Sequence, residues 1–535
     1  MRTRSGRSAE KPWIQKKRIK KQSMKHGPLH PVMFTGTGSD VGKSVVAAAF
    51  CRIFRQDGYT PAPFKAQNMA LNSFATPEGL EIGRAQAVQA EAAGVACHTD
   101  MNPLLLKPQT DCTSQVVLNG RPAGTRSASE YFRKEGRETL RSEVCAAFDR
   151  LAARYNPIVM EGAGSMTELN LSDVDIVNLP MAAHAGADVI LVADIDRGGV
   201  FASVYGSIAL LPPEHRRMVK GVLINKFRGD ISLFRPGIKI IEQLCGVPVL
   251  GVIPYYKDIH IEEEDSMDLR RKSLTAGHDG LVNVAVVLLR HLSNFTDFDA
   301  LERDPRVHLF YTSAAADMAQ ADIIILPGSK CTVDDLCELR RNGMARAVVQ
   351  ACRDGATVLG ICGGYQMMGR EILDPGNVES SIERIPGLGL LPVTTTMTPE
   401  KTTRQVSFSL SYAATPLSCP GTPSDCGPQL HGYEIHMGAT VPEKDAAASP
   451  LCILSDGTAD GCMAGSRCMG TYIHGILDNR QFVDFLLSPF DGMTEDPKRQ
   501  FDYTAFKNEQ YDKLADHVRR NVDMDRIYRI MKGEQ

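Results

Sequence analysis

Residues 32–56 constrain the fold more than any other stretch, because they fit only one strand, one loop and one helix in that order. Val32–Thr35 is a short apolar run that suits a buried strand, Gly36–Ser44 reads GTGSDVGKS, and an Ala/Val-rich helix is expected from about Val45 to Gln56. A glycine turn between a strand and a helix aims backbone N–H groups and the positive helix end at one spot, which makes a cradle for a phosphate. There Lys43 reaches the β- and γ-phosphates of ATP and the Ser44 hydroxyl binds Mg²⁺, while Gly36, Thr37, Gly38, Asp40 and Gly42 form the loop. Five residues separate Gly36 from Gly42 where the usual loop has four, so Thr37 stands at the strict first-glycine place.

More strands of the same kind follow. Pro157–Ser165, PIVMEGAGS, is a strand that ends in Glu161 and a glycine turn, and a carboxylate at that edge beside a phosphate loop is an expected direct or outer Mg²⁺ ligand. Asp188–Ala193 is a core strand, and Asp194, Asp196 and Arg197 lie just past its C-terminal end, where open α/β sheets bind ligands. A solvated charged loop accounts for these three equally well. In Val222–Asp230, VLINKFRGD, Asn225-Lys226 is similar to the N-K-x-D loop with which P-loop proteins read a base, so Asn225 is the candidate for the adenine edge. Pro248–Pro254 closes a set of strands separated by helical stretches, which predicts a mostly parallel, doubly wound sheet over residues 31–255.

A second constellation lies further on. Val358–Arg370, VLGICGGYQMMGR, reads as a buried strand, a tight turn at Cys362-Gly363-Gly364 and a short helix. A cysteine at such an elbow is exposed on a sharp turn, with the following N–H groups aimed at an oxyanion and the helix N-terminus favouring thiolate. Alone, G-x-C-G-G fits a structural cysteine before a turn just as well. A catalytic cysteine needs a histidine near it in space, and His474, in the run Gly470–Asn479 (GTYIHGILDN), is the candidate partner.

Together Cys362 and His474 resemble the class I glutamine amidotransferase domain, whose cysteine takes the acyl group of glutamine and releases ammonia. Many members carry Glu two residues after the histidine; here Ile476 holds that place, which leaves a Cys–His dyad with its third residue unassigned. By the same resemblance the P-G loop at Pro327–Lys330 (PGSK) supplies an oxyanion donor, so that Gly328 or Ser329 would act with Gly363. The phosphate loop and the E-G-A-G around Glu161 are similar to those of dethiobiotin synthetase and its relatives, which implies the metal role for Glu161. Pro63–Ser73 (PFKAQNMALNS), Leu104–Asp111 (LLLKPQTD) and Val174–Ser207 (with DIVNLPMAAHAGADVILVADIDRGGVFASVYGS) resemble the cobyric acid synthase family, over roughly Pro31 to Phe485. That resemblance implies two doubly wound α/β domains, an N-terminal P-loop synthetase and a C-terminal glutamine amidotransferase. It implies ATP and glutamine as reactants and adenosylcobyrinic acid a,c-diamide, a corrinoid, as the acid amidated at its b, d, e and g carboxylates. It places Lys65, Gln67 and Asn68 near the nucleotide or that acid. The a,c-diamide synthases share both domains but are disfavoured by the QNM stretch. A non-catalytic ATP switch like the partition ATPases is disfavoured by an intact Cys362 and His474.

Composition sets the remaining bounds. A chain of 535 residues is too long for one ordinary core. No apolar run approaches 18 residues, so no membrane partner is expected. The 14 cysteines include no C-x-x-C pair, which argues against a zinc or disulfide framework and for a reducing cytoplasm. Net charge is −3, yet residues 1–30 hold ten Lys/Arg against Glu10 alone, so the charge is a local arm and no reason to expect a nucleic acid. The expected layout is a disordered basic extension at 1–30, with Met24 an alternative start, then the synthetase at 31–255 and a charged linker at 256–280. The amidotransferase occupies 281–485, with an exposed insertion at Thr415–Gly427, and a helical tail at 486–535 reads as a docking element.

Overall fold

The computed structural model of the protein describes residues 27–108, 113–127, 131, 137–262, 272–277, 281–411, 429–444, 447–493 and 501–534. The first 26 residues, the tip of the LLLKPQTD stretch, all of the Thr415–Gly427 insertion and part of the expected linker lie outside them.

Six strands form the first sheet: β1 (Val32–Gly36), β2 (Ala62–Phe64), β3 (Ile158–Glu161), β4 (Asp188–Asp194), β5 (Val219–Phe227) and β6 (Val249–Pro254). Their order is β6-β5-β4-β1-β3-β2 and every pairing is parallel. The run of β1, VMFTG, is buried along its whole length at the centre of this sheet, as a parallel strand covered on both faces must be. Helix α1 (Lys43–Gln56) leaves the loop after β1, starting two residues earlier than the sequence suggests because Gly42, at φ 96°, serves as its cap. Between β2 and β3 lies an inserted subdomain. It holds a hairpin (Ser73–Ala75 with Glu81–Gly83), helix α2 (Arg84–Ala93) and a small sheet built on Gln67–Met69 and Leu104–Pro108.

The second sheet comprises β7 (Val282–Val287), β8 (Val307–Thr312), β9 (Ile323–Leu326), β10 (Thr357–Ile361), β11 (Cys462–Ala464) and β12 (Cys468–Thr471). The order is β8-β7-β9-β10-β12-β11, parallel except for the β11 edge. Beside it stands an element the sequence pattern does not announce: a long antiparallel hairpin of Val393–Leu410 and Leu430–Pro442. The short strand Ile473–His474 pairs on its outer edge, with Tyr433 opposite His474.

Two boundaries differ from expectation. Leu29 and His30 belong to the fold: Leu29 is buried, its N–H donates to Asn156 Oδ1 (3.0 Å), and the His30 N–H donates to Met531 O (2.7 Å). Leu29, one residue before the expected end of the extension, anchors that turn together with these two bonds. The described part of the expected linker is also packed. Tyr256, Ile259 and Ile261 lie against the first domain's core, and the Glu262 carboxylate pairs with Arg84 at 2.7 Å. Its charges read as solvated in sequence, but Glu262 has a buried partner in Arg84. Finally, the tail returns to the first domain. Helices α3 (Tyr503–Asn521) and α4 (Met524–Met531) place Tyr511, Leu514, Val518, Ile527 and Ile530 in one core with Val46, Phe50 and Phe54 of α1. Arg52 pairs with Asp512 at 2.7 Å and Val522 bridges Gly251 of β6. The second domain is therefore an insertion between β6 and α3.

Candidate active sites

Cys362 sits at the C-terminal edge of β10, between β9 and β12. Its backbone lies at φ 53°, ψ −109°, a region an L-residue enters only when its surroundings force it. The Cys362 N–H donates to Thr471 O (2.8 Å), and the six-residue helix Gly363–Met368 follows at once. Both glycines are required: a Cβ on Gly364 would overlap the Leu326 carbonyl, and one on Gly363 would lie 2.9 Å from Ser329 N. The turn is thus pressed against the PGSK loop, which is itself pinned by Ser293 N–H to Gly328 O (3.0 Å) and Lys330 N–H to His291 O (2.9 Å). In that bridge the Ser329 N–H is directed away from Leu292, so the structure brings Gly328, Ser329 and Gly363 into one corner beside Cys362.

His474 enters the same corner from the hairpin side. Its Nδ1 lies 2.7 Å from Asp297 Oδ2, and the other carboxylate oxygen accepts the Gly475 N–H at 3.1 Å. Both side chains are buried. Burial alone would lower the histidine, but the Asp297 carboxylate and the Cys362 thiol outweigh it and push His474 up to about 10. Asp297 is the orienting residue that sequence reasoning left unassigned. It lies on the single-turn segment Phe295–Phe298, and Ile476, at the place of the usual Glu, is fully buried in the apolar core. The polar cluster SNFTDFD (Ser293–Asp299) was the available signal, but no spacing ties it to His474.

At the other site, Lys43 is buried and its Nζ donates to Gly38 O (2.9 Å) and Gly164 O (3.0 Å), curling the loop around the ammonium. A Cβ on Gly36 would stand 2.9 Å from that Nζ. The Ser44 hydroxyl donates to Glu161 Oε1 (2.8 Å), Lys65 Nζ lies 3.0 Å from the same oxygen, and Gln89 Nε2 donates to Glu161 Oε2 (2.8 Å). Lys65 is therefore placed at the phosphate loop. Gln67 and Asn68, its neighbours in sequence, bond within the inserted subdomain: Tyr131 OH donates to Gln67 Oε1 (2.6 Å), and Asn68 Nδ2 donates to Gln86 Oε1 (3.1 Å). Gln89 was missed from sequence because α2 (RAQAVQAEAA) reads as an ordinary helix.

A second cluster flanks the loop. Thr37 N–H donates to Val192 O (3.1 Å). Asp194 Oδ2 pairs with Lys226 Nζ (3.0 Å), Arg197 reaches Asp40 (3.2 Å), and Asp196 pairs with Arg228 (2.8 Å). Asn225 is buried with its Nδ2 donating to Val41 O (2.9 Å), so this amide supports the loop backbone, and a Cβ on Gly42 would overlap it. The oxygens of Ser44 and Glu161, hard donors at one end of a phosphate cradle, fit Mg²⁺, which takes few protein ligands and completes its shell with phosphate oxygens and water. No helix among the described residues is long and apolar enough to cross a membrane.

Comparison with known proteins matches both domains. A model described as CobQ/CobB/MinD/ParA nucleotide binding domain covers residues 32–269, and one described as CobB/CobQ-like glutamine amidotransferase domain covers residues 283–482. A Bacteroides fragilis protein described as cobyric acid synthase is 68% identical over 503 residues, spanning 94% of this chain and 98% of its own. Proteins of the same description from Phocaeicola vulgatus and Klebsiella pneumoniae are 66% and 47% identical, each over 94% of this chain and 98% or more of their own.

Proposed function

The chain belongs to the cobyric acid synthase family, and we propose that it amidates the b, d, e and g carboxylates of adenosylcobyrinic acid a,c-diamide from two separate sites. It is a glutamine-dependent amidotransferase ligase whose acid substrate is a corrinoid and whose amide donor is glutamine. In the second domain the Cys362 thiolate attacks the side-chain amide carbon of glutamine. The oxyanion that forms faces the N–H groups of Gly363 and of Gly328 or Ser329, donors already in place before charge develops. His474, held by Asp297, gives its proton to the departing ammonia and then takes one from the water that cleaves the thioester to glutamate.

In the first domain the γ-phosphoryl group of ATP passes to a corrin carboxylate oxygen, leaving ADP and an acyl phosphate, and ammonia displaces phosphate to give the amide. Activation is needed because a carboxylate is a poor electrophile. Lys43 and the loop N–H groups stabilise charge on the transferring group, and Lys65 is placed to hold the acid or the phosphate beside Ser44 and Glu161. Mg²⁺, held by Ser44 and Glu161, would neutralise phosphate charge. Asp40, Asp194, Asp196 and Arg197 lie at the far side of the loop, where they would meet the nucleotide or the corrinoid.

One observation carries the reading: a Cys362–His474–Asp297 constellation and a phosphate cradle stand in separate domains of one chain. The test is to incubate the protein with ATP, glutamine and the a,c-diamide and to follow successive amidations by mass. Four added amides are expected. No product would overturn it, as would activity confined to the a and c carboxylates when unamidated cobyrinic acid is supplied instead.

A further inference from the structure

One continuous segment, residues 73–93, touches both catalytic centres. It begins as the hairpin in which Ser73 pairs with Gly83 and Ala75 with Glu81, and it runs straight into α2. The hairpin is pressed on the amidotransferase domain. The Phe74 ring lies 4.5 Å from that of Tyr433, Gln405 Nε2 donates to Ala75 O (3.0 Å), and Lys401 pairs with Glu81 (2.5 Å). Ser73 N–H donates to Asn294 Oδ1 at 3.2 Å.

Asn294 is buried, at φ 52°, and its Nδ2 lies 3.3 Å from both ring nitrogens of His474. A point equally far from both nitrogens and in the ring plane would collide with Cε1, so the amide sits over the imidazole face. Tyr433 stacks on the same ring, centroids 5.3 Å apart. The in-plane contact of Nδ1 belongs to Asp297. The position of the catalytic histidine therefore depends on Asn294 and Tyr433, and both are held by the other domain's hairpin.

At its far end the same segment reaches the nucleotide cradle: Gln89 Nε2 donates to Glu161 Oε2 (2.8 Å) and Ser44 O (3.3 Å). A ten-residue helix is a rod of about 15 Å, and what moves one end moves the other. The hairpin is also locked from the small sheet of the inserted subdomain. Lys107, in the LLLKPQTD stretch for which the mechanism has no use, donates to Ser73 Oγ (2.9 Å) and Glu81 Oε1 (2.8 Å), from a strand paired with Gln67–Met69. Glu81 and Lys107 are buried, the Lys401 side chain is nearly so, and a paired triad of this kind holds a discrete arrangement because leaving one member unpaired is costly.

We propose that Asn294 is a positioning residue for His474, that segment 73–93 holds it, and that glutamine hydrolysis thereby answers to what is bound at Ser44 and Glu161. The proposal rests on the two-site reading above. When nucleotide and acid draw Ser44, Glu161 or Lys107 into new contacts, α2 and the hairpin shift as a unit and reset Asn294 and Tyr433 against the imidazole, so that ammonia is made when it can be used.

The test measures glutaminase kcat and KM with and without ATP, Mg²⁺ and cobyrinic acid a,c-diamide, in wild type, Asn294→Ala and Lys401→Met. Wild type should be stimulated at least about 5-fold. Asn294→Ala should lower kcat with KM for glutamine unchanged and lose the stimulation, while ammonia-driven amidation stays normal and certifies the fold. Lys401→Met should keep the unstimulated rate and lose most of the stimulation. A wild-type rate indifferent to ATP and corrinoid, or stimulation retained in Asn294→Ala, would overturn the proposal. Failure of the functional reading is separate: wild type would then make no amide even from free ammonia.

Discussion

Ser44 and Cys362 each stand where a central parallel strand, β1 or β10, turns into a helix, yet the two turns are completed by different kinds of group. Around Ser44 most of the contacts are to backbone: the Gly38 and Gly164 carbonyls hold Lys43, and one carboxylate, Glu161, closes the set. Around Cys362 the chemistry needs side chains in line, and these come from His474, Asp297 and, through Asn294, from the other domain. A phosphate carries its own charge and geometry, so a contiguous glycine loop suffices to bind it. A nucleophile must be activated, and the fold gathers the activating groups from wherever its strands end.

If that contrast is right, the two sites separate cleanly by mutation. The largest effect belongs to Cys362→Ser, which should reduce glutamine-dependent amidation by roughly 10⁴-fold or more while sparing amidation by high ammonia. A folded mutant that fails with free ammonia too would break the division. Next comes Lys43→Ala, expected to lower amidation with either nitrogen source by about 10²–10³-fold, because a cation in the cradle stabilises the transferring phosphoryl group. Unstimulated glutamine hydrolysis should persist; near wild-type amidation would show that Gly36–Ser44 is not the phosphate site.

Asp297→Asn should cost about 10²-fold in glutaminase kcat and leave the first site untouched when ammonia is supplied. Its pH dependence sharpens the test. His474 is raised from 6.5 to about 10, so the ion pair is fully formed below 6.5 and is lost only as pH rises through about 10. Without the carboxylate, burial pulls the histidine down against the Cys362 contact alone, so the alkaline limb of the rate profile should move to lower pH. An unmoved limb would show that Asp297 does not set His474.

What the sequence disclosed follows the same contrast. Gly36–Ser44 and Val358–Gly364 were legible because strand, turn and helix are contiguous, and His474 because it ends an apolar strand. Asp297, Asn294 and Gln89 were not. Asp297 and Asn294 lie on a turn with no periodic pattern, and Gln89 on a helix whose sequence looks generic, so only tertiary contact gives them meaning. The long hairpin and the destination of the tail were hidden for the same reason. The half-buried pair of Arg519 with Asp57 (3.0 Å) tests that destination, and here the smallest effect is expected. Arg519→Ala should destabilise the first domain by less than about 1 kcal/mol in urea unfolding and leave glutaminase kcat unchanged. A change in glutaminase rate would mean that the tail serves the second site as well.

The hydrogen bond from His30 to Met531, and the shared core of α1 with α3 and α4, bear on how the polypeptide is assembled during translation. When β6 leaves the ribosome, the first sheet is complete in its strands but the Val46–Phe54 face of α1 lacks its cover. The whole amidotransferase domain must be synthesised before α3 and α4 emerge, which at about 5–20 residues per second is a delay on the order of tens of seconds. The domain begun second should therefore reach its native state first. The one begun first waits with an apolar face open, a window in which chaperones or aggregation compete for it.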